Sequence, residues 1–195
     1  EPGTELIADS EDTTSFANVL SGVVKLTKTM EDGRQQIVGL QFAPDFLGRP
    51  FKTSSKVNAE AATTVSLCAF PKTVMDRLIH DSPELEHRIF QQTLNELDEA
   101  REWMLTLGRK TAAEKVASFL YLVAAHIDPE HSETSGPSHF DLPLTRADIA
   151  DFLGLTIETV SRQFTKLRKE GLIEIEGNRK VLVKSMSRLR ASARS

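Results

Sequence analysis

The sequence predicts an α+β fold in which an antiparallel, β-rich half precedes a helical half. Up to about Phe70, short runs of apolar and β-branched residues alternate with turn-forming residues, which is typical of a small barrel or jelly roll. A single long helical stretch begins at Pro83. Beyond Leu142, two short amphipathic segments are followed by a hairpin pattern.

The N-terminal strands are separated by residues that favour turns. Ser21-Gly22 and the acidic Glu31–Gly33 segment are two of these turns, and Pro44 and Pro50 mark two more. Short strands at this spacing predict an antiparallel β-roll over residues 1–81. The strand-like runs are Val19–Thr29, Arg34–Phe42 and Val65–Phe70, and a short helix over Pro71–His80 follows them.

The long helical stretch, which we assign to a domain over residues 82–108, carries a narrow apolar stripe. The stripe residues recur at steps of three, four and seven: Phe90 (or Ile89), Leu94, Leu97, Met104 and Leu107. Such a stripe is either a buried spine of the monomer or the seam of a homodimer. Gly108 is expected to break the helix and act as a hinge. Thr111 then begins another helix, which ends before Asp128.

The stretch Thr145–Gly171 predicts two short helices joined by a glycine turn. Thr145 is a good N-cap with Asp148 in the capping-box position. Gly154 accepts the left-handed conformation that a tight reversal needs, and Thr156 is the next N-cap. The second helix has a continuous apolar face: Val160, Phe164 and Leu167. This spacing is that of a helix-turn-helix.

The opposite face of the second helix has the side chains that read DNA. A carboxylate can accept from cytosine, and a guanidinium can form a fork with guanine. Because helix-turn-helix proteins usually act as two-fold pairs on two half-sites, the long stripe is better explained as a dimer seam. The candidate DNA-binding residues are Arg146, Thr156, Glu158, Thr159, Ser161, Arg162, Lys166 and Arg179.

The remaining C-terminal segments complete a domain over residues 109–195. Glu130–His139 is polar and is expected to be a surface loop. Alternating strands around Gly177-Asn178 predict a hairpin, which makes the domain a winged helix-turn-helix, and Lys180 beside Arg179 at its tip could reach phosphate. The arginine-rich tail from Arg188 is expected to be mobile.

The charge distribution agrees with a DNA-binding C-terminal part. The 195 residues carry a net charge of −4, yet residues 142–195 contain 11 Lys and Arg against 6 Asp and Glu. An acidic body with a basic end is the electrostatic pattern of a DNA-binding module on a carrier domain. The five histidines lack metal-ligand spacing, and no phosphate loop or nucleophile motif occurs, so an enzyme is not expected.

Composition also indicates the compartment. One cysteine and no membrane-length apolar run predict a cytoplasmic protein without disulfides and without membrane association. The chain starts at Glu1, without methionine or a signal peptide, and we expect a further N-terminal segment in the natural protein.

At the second short helix the chain resembles the cyclic-AMP receptor protein and FNR (CRP/FNR) superfamily of bacterial transcription regulators. The likeness covers nearly the whole chain, including Ser21–Leu26 of the roll. Glu158–Arg162 matches the E-x-x-S-R motif of the FNR and FixK branches, whose half-sites look like TTGAT in inverted repeat. The cyclic-AMP branch has an arginine before the glutamate, where this chain has Ile157.

The resemblance implies an effector as well as a DNA site. Phe46–Phe51 lacks the G-E-L stretch of cyclic-nucleotide binders, and no Arg-Ser pair follows it, so cyclic AMP is not expected. Cys68 falls where FNR has its one internal ligand to a 4Fe-4S cluster. The other three thiolates would lie upstream of Glu1, so this chain would be free of the cluster.

The branch of the family and the further partners remain open in the sequence. The resemblance implies an oxygen-responsive regulator of the FNR type, whose intact cluster favours the homodimer. The alternatives are a FixK-type regulator without a cluster and a regulator that senses haem or another small molecule. Cys68 could equally be a small buried apolar residue. By the same resemblance, Glu31–Gly33 could contact the sigma factor of RNA polymerase, and it could also be an ordinary solvated turn.

Overall fold

The computed structural model describes residues 1–9, 12, 14–48, 52, 54–129, 136–177 and 179–194. It divides into two compact units, Glu1–Glu102 and Trp103–Ser195. Three features discussed above lie outside the described residues in whole or in part: Arg49–Phe51, the first part of the 130–139 loop with His131, and Asn178 of the hairpin turn.

The first unit is built from two antiparallel sheets. One has the strand order β1-β6-β3-β4 and the other β5-β2-β7, so all neighbouring strands except β3 and β4 are separated in the chain by at least one other strand. This arrangement confirms the predicted β-roll. The strands are β1 (Glu5–Ile7), β2 (Ser15–Ser21), β3 (Val23–Thr29), β4 (Gln35–Phe42), β5 (Phe46–Leu47), β6 (Asn58–Ala61) and β7 (Ser66–Pro71).

Among the described residues of this unit, two apolar clusters contribute to its core. The first fills the roll around Val19, Val24 and Leu47, which are at most 3% exposed. The second lies where Phe16 meets Met75 and Ile79 of helix α1 (Lys72–Asp81). Helix α1 confirms the short helix predicted over Pro71–His80. Burial of each side chain of this size stabilises the fold by about 1.5–3 kcal/mol.

Helix α2 (Pro83–Arg109) is the long helix that the sequence predicts. The expected break at Gly108 is wrong, because Gly108 lies inside the last turn and the backbone N–H of Lys110 still donates to Thr106 at 3.2 Å. A glycine in a helix costs only about 0.5–1 kcal/mol, which neighbouring turns can offset. The boundary between the two compact units falls within this helix, between Glu102 and Trp103.

In its described residues, the second unit combines four more helices with a three-stranded sheet of order β8-β10-β9. Helices α4 and α5 are the predicted helix-turn-helix, and β9 and β10 are the predicted hairpin. The elements are α3 (Ala112–Ile127), β8 (Ser138–Asp141), α4 (Arg146–Leu153), α5 (Ile157–Lys169), β9 (Ile173–Glu176), β10 (Lys180–Val183) and α6 (Met186–Ser192).

Two expectations for the second unit are wrong. Ser138 and His139, placed in a surface loop by their polarity, belong to strand β8, where Ser138 is buried and its hydroxyl donates to Asp128 at 3.0 Å. The tail from Arg188 forms most of helix α6, whose Met186 and Leu189 are at most 1% exposed. Both segments contact α3, so tertiary packing outweighs their polar composition.

No helix among the described residues is both long and apolar enough to cross a membrane.

Two glycines provide a matched test of backbone conformation. Gly154 has φ of 60° whereas Gly108 is helical, and a Cβ at either position would meet no atom within 4 Å. We expect Gly154→Ala to lower the free energy of unfolding by about 1–2 kcal/mol, the cost of the left-handed conformation. Gly108→Ala should raise it by about 0.5–1 kcal/mol. Urea unfolding of both variants measures this, and a destabilising Gly108→Ala would restore the predicted hinge.

Candidate nucleic-acid interface

The corner between α4 and α5 is fixed by backbone hydrogen bonds and caps. The Thr145 hydroxyl accepts from the backbone N–H of Asp148 at 3.1 Å, and Asp148 accepts from the backbone N–H of Thr145 at 3.1 Å. Gly154 ends α4 in the left-handed conformation. The N–H of Leu155 then donates to Ala150 at 2.9 Å, which is the Schellman pattern. The predicted capping box and glycine turn are therefore confirmed.

The rotation of α5 about its axis is set by its buried face. Val160, Phe164 and Leu167 are 0–2% exposed, as the sequence predicts. The Thr156 hydroxyl caps the helix by accepting from the backbone N–H of Thr159 at 3.2 Å. Because these three apolar side chains stay buried, the opposite side of α5 faces outward. The cap fixes the residue at which the helix begins.

The outward face of α5 brings together the polar side chains selected from the sequence. Glu158, Ser161, Arg162 and Lys166 are exposed, and Thr159 is half-buried beside them. The Arg162 guanidinium donates to Thr159 Oγ1 at 3.4 Å, which leaves most of its N–H groups available. Lys166 lies 3.8 Å from Glu170 on the exposed side of the helix.

Glu158 is held as a carboxylate at the start of α5. Its pKa lies below the ordinary value because the carboxylate accepts hydrogen bonds from its own backbone N–H and from the Thr156 hydroxyl. A negative side chain in the first turn is also favoured by the helix dipole. Glu158 is therefore an acceptor at neutral pH, which suits a cytosine amine.

Arg146 and Arg179, the two candidates outside α5, have different surroundings. The Arg146 guanidinium lies over the Phe164 ring, 3.5 Å from its centroid. Burial lowers the pKa of Arg146, although an arginine stays charged. Arg179 is exposed next to the hairpin tip, and its backbone carbonyl accepts from Leu142 at 2.8 Å.

An aromatic cluster within the second unit joins α4 to α2 and α3. Phe152 of α4 lies 4.6 Å from Trp103 of α2 and 6.0 Å from Phe119 of α3, between ring centroids. Tilted and edge-on pairs of this kind stabilise a core beyond their buried area. The last turns of α2 thus support the helix that precedes α5.

The long helix exposes the apolar stripe that the sequence selected. Phe90 is 59% exposed, Leu94 and Leu97 are 44% exposed, and Met104 is 72% exposed. The alternative residue Ile89 instead packs against the Phe16 cluster, and Leu107 is half-buried. Leu105, which the stripe omitted, is 52% exposed. Exposed apolar residues in a row mark a surface for another protein.

Cys68 lies within strand β7, opposite Asn18 of β2, and is half-buried. The Oδ1 atom of Asn18 is buried and has no hydrogen-bond partner among the described residues. No group of three or more His, Cys, Asp or Glu in the described part of the chain is placed to hold a metal ion. One thiolate does not fit a 4Fe-4S cluster, which needs about four, so these 195 residues do not form that site alone.

A capped helix-turn-helix with an acceptor and a guanidinium on its outward helix, followed by a wing, defines a DNA-binding protein. Residues 114–192 match the model of the Crp-like helix-turn-helix domain, and residues 1–82 match that of the cyclic nucleotide-binding domain. Together with the relatives described next, these matches show that the chain belongs to the CRP/FNR family of transcription regulators.

Three relatives and one solved structure illustrate the similarity. A probable transcriptional activator from Rhizobium leguminosarum bv. viciae is 57% identical over 97% of this chain and 78% of its own. The transcriptional activator FnrL of Cereibacter sphaeroides is 44% identical over 97% and 77%. The nitrogen fixation regulator FixK of Bradyrhizobium diazoefficiens is 44% identical over 89% and 72%. The structure of FixK2 from Bradyrhizobium japonicum superposes with a TM-score of 0.85 at 30% identity, over 98% of this chain and 93% of that one.

Proposed function

We propose that this protein is a transcription regulator of the FNR and FixK type that binds TTGAT-like inverted repeats as a homodimer. The observation that carries the proposal is the outward face of α5, where Glu158, Ser161 and Arg162 are exposed together at the start of a capped helix. The similarity to FnrL and FixK supports it. In this proposal, residues 1–81 form the sensor domain, residues 82–108 pair the two chains and residues 109–195 bind DNA.

Each side chain has a distinct role in this proposal. Glu158 accepts from a cytosine amine, Arg162 forms a fork with guanine, and Ser161 contacts thymine or phosphate. Lys166 and Arg179 are positive, exposed groups that contact the phosphate backbone of the DNA without reading its sequence. Ile157 is 47% exposed and cannot donate to guanine, so the half-site differs from one read by an arginine there.

Replacing Arg162 tests the reading of guanine. We expect Arg162→Ala to weaken binding to a TTGAT inverted repeat by about 1–3 kcal/mol and to relax the preference at one base pair per half-site. Lys166→Ala is the matched control, because loss of a backbone contact weakens cognate and altered duplexes equally. Competition binding measures both. Unchanged base preference in Arg162→Ala would exclude this role.

The exposed face of α2 supports pairing of two chains. Phe90, Leu94, Leu97 and Met104 place apolar groups on one side over about 14 residues, a length of about 21 Å. A second copy presents the same face, so a two-fold contact would cover both faces at once. Leu105 lies beside this stripe and extends it.

A charge in the stripe tests the dimer. Leu97→Glu should shift the protein to monomer, because pairing would bury two carboxylates at about the same place. Asn95→Glu is the control, since Asn95 is exposed on another side of the same helix. Sedimentation measures the mass of each variant at matched concentrations. Dimers of equal stability in both variants would place the seam elsewhere.

Two modes of control are compatible with this DNA interface. In the FNR mode, Cys68 would be one ligand of a 4Fe-4S cluster whose other thiolates would come from outside these 195 residues, and its half-buried position on β7 leaves part of the side chain accessible. In the FixK mode, the same interface works without a cluster.

The exposed turn at Glu31–Gly33 is our candidate contact for RNA polymerase.

Cys68→Ser in the natural full-length protein distinguishes these modes. In the FNR mode, the variant purified without oxygen should lose the visible absorbance and the iron content of the cluster, and its DNA affinity should fall. In the FixK mode, the wild-type protein contains no iron and the variant binds DNA with wild-type affinity. An iron-loaded Cys68→Ser variant would exclude Cys68 as a ligand.

A further inference from the structure

A groove lies between α5 and the wing, beside the outward face of α5, and shares Ser161 with that face. Its volume is about 260 Å³. Ser161, Thr165 and Arg168 line it from α5, at steps of four and three that place them in one row along the helix. Ile175 and Gly177 line it from the hairpin. The groove therefore follows the edge of the recognition helix.

Its charge is entirely positive. Arg146 and Arg168 line the groove together with two hydroxyl groups, and none of the described residues that line it is acidic. Neither arginine side chain has a carboxylate partner among the described residues. Other cations of the chain do have one, such as Lys166 and Lys184, each of which pairs with a glutamate. Two unneutralised guanidinium groups in one small groove favour binding of an anion.

Arg146 is oriented in advance. Its guanidinium stacks on Phe164, 3.5 Å from the ring centroid, and Phe164 is itself 2% exposed and fixed in the core. Stacking uses the face of the guanidinium and leaves the N–H groups at its edge available for an acceptor. The side chain therefore loses less conformational freedom on binding than a free arginine would.

From these observations we infer that Arg146 and Arg168 together bind one phosphate of the DNA backbone in this groove. The inference rests on the proposed DNA-binding function and adds to it a contact by Arg168, which is not among the residues selected from the sequence. A phosphate held between α5 and the wing would fix the depth and angle of α5 in the major groove, while Glu158 and Arg162 read the bases.

Neutral phosphate analogues test the contact at single-site resolution. A TTGAT inverted-repeat duplex is prepared with one methylphosphonate at each backbone position in turn, and the ratio of its Kd to that of the unmodified duplex is measured. Wild-type protein should show one phosphate per half-site whose neutralisation weakens binding and for which Arg168→Ala gives a ratio of about one. In Arg168→Ala, the slope of log K against the logarithm of the salt concentration should also become smaller by about one unit per half-site.

Two further variants separate this contact from general charge. Arg146→Met keeps an apolar cover over Phe164 without the charge, and it should lose sensitivity at the same phosphate. Arg188→Ala removes an exposed charge from α6, outside the groove, and should keep the wild-type profile. Identical profiles for wild type and Arg168→Ala, or the same change in Arg188→Ala, would overturn the inference. If the wild type does not distinguish TTGAT repeats from scrambled DNA but its profile depends on Arg168, the proposed specificity fails and the phosphate site stands.

Discussion

The burial of one side of α5 is the constraint on which the DNA-binding surface depends. Val160, Phe164 and Leu167 lie in the core of the second unit and are nearly inaccessible. Because the helix cannot rotate about its axis without exposing them, Glu158, Ser161 and Arg162 are held outward. Phe164 has a second role, since its ring also positions Arg146. One buried face thus determines the orientation of the side chains that we propose read the bases and of a guanidinium beside them.

The parts of the fold that depend on local chemistry could be predicted from the sequence. The capping box of α4, the left-handed Gly154, and the N-cap and apolar steps of α5 involve residues within a few positions of one another. Strand β6 (Asn58–Ala61) could not be predicted, because its sequence N-A-E-A has no β-branched residue and it is a strand only through pairing with β1 and β3. Helix α6 and strand β8 likewise depend on packing against α3.

The candidate site also combines features that follow from local sequence with features that depend on long-range packing. The exposed residues of α5 follow from helical periodicity and were identified correctly as exposed. The stacking of Arg146 on Phe164 joins residues 18 positions apart on different helices, and the groove beside Arg168 forms only when the hairpin folds next to α5. The contact of Trp103 with Phe152 also joins distant parts of the chain, and periodicity within α2 does not predict it.

The central claim is that two paired chains bind one inverted repeat, with one α5 helix on each half-site, and DNA stoichiometry tests it most directly. Wild-type protein is titrated into duplexes of equal length that carry either a TTGAT inverted repeat or a single half-site, and the mass of each complex is measured. We predict two chains on the repeat and much weaker binding to the half-site, because half-sites one helical turn apart suit a two-fold pair. One chain per repeat, with equal affinity for the single half-site, would contradict the claim.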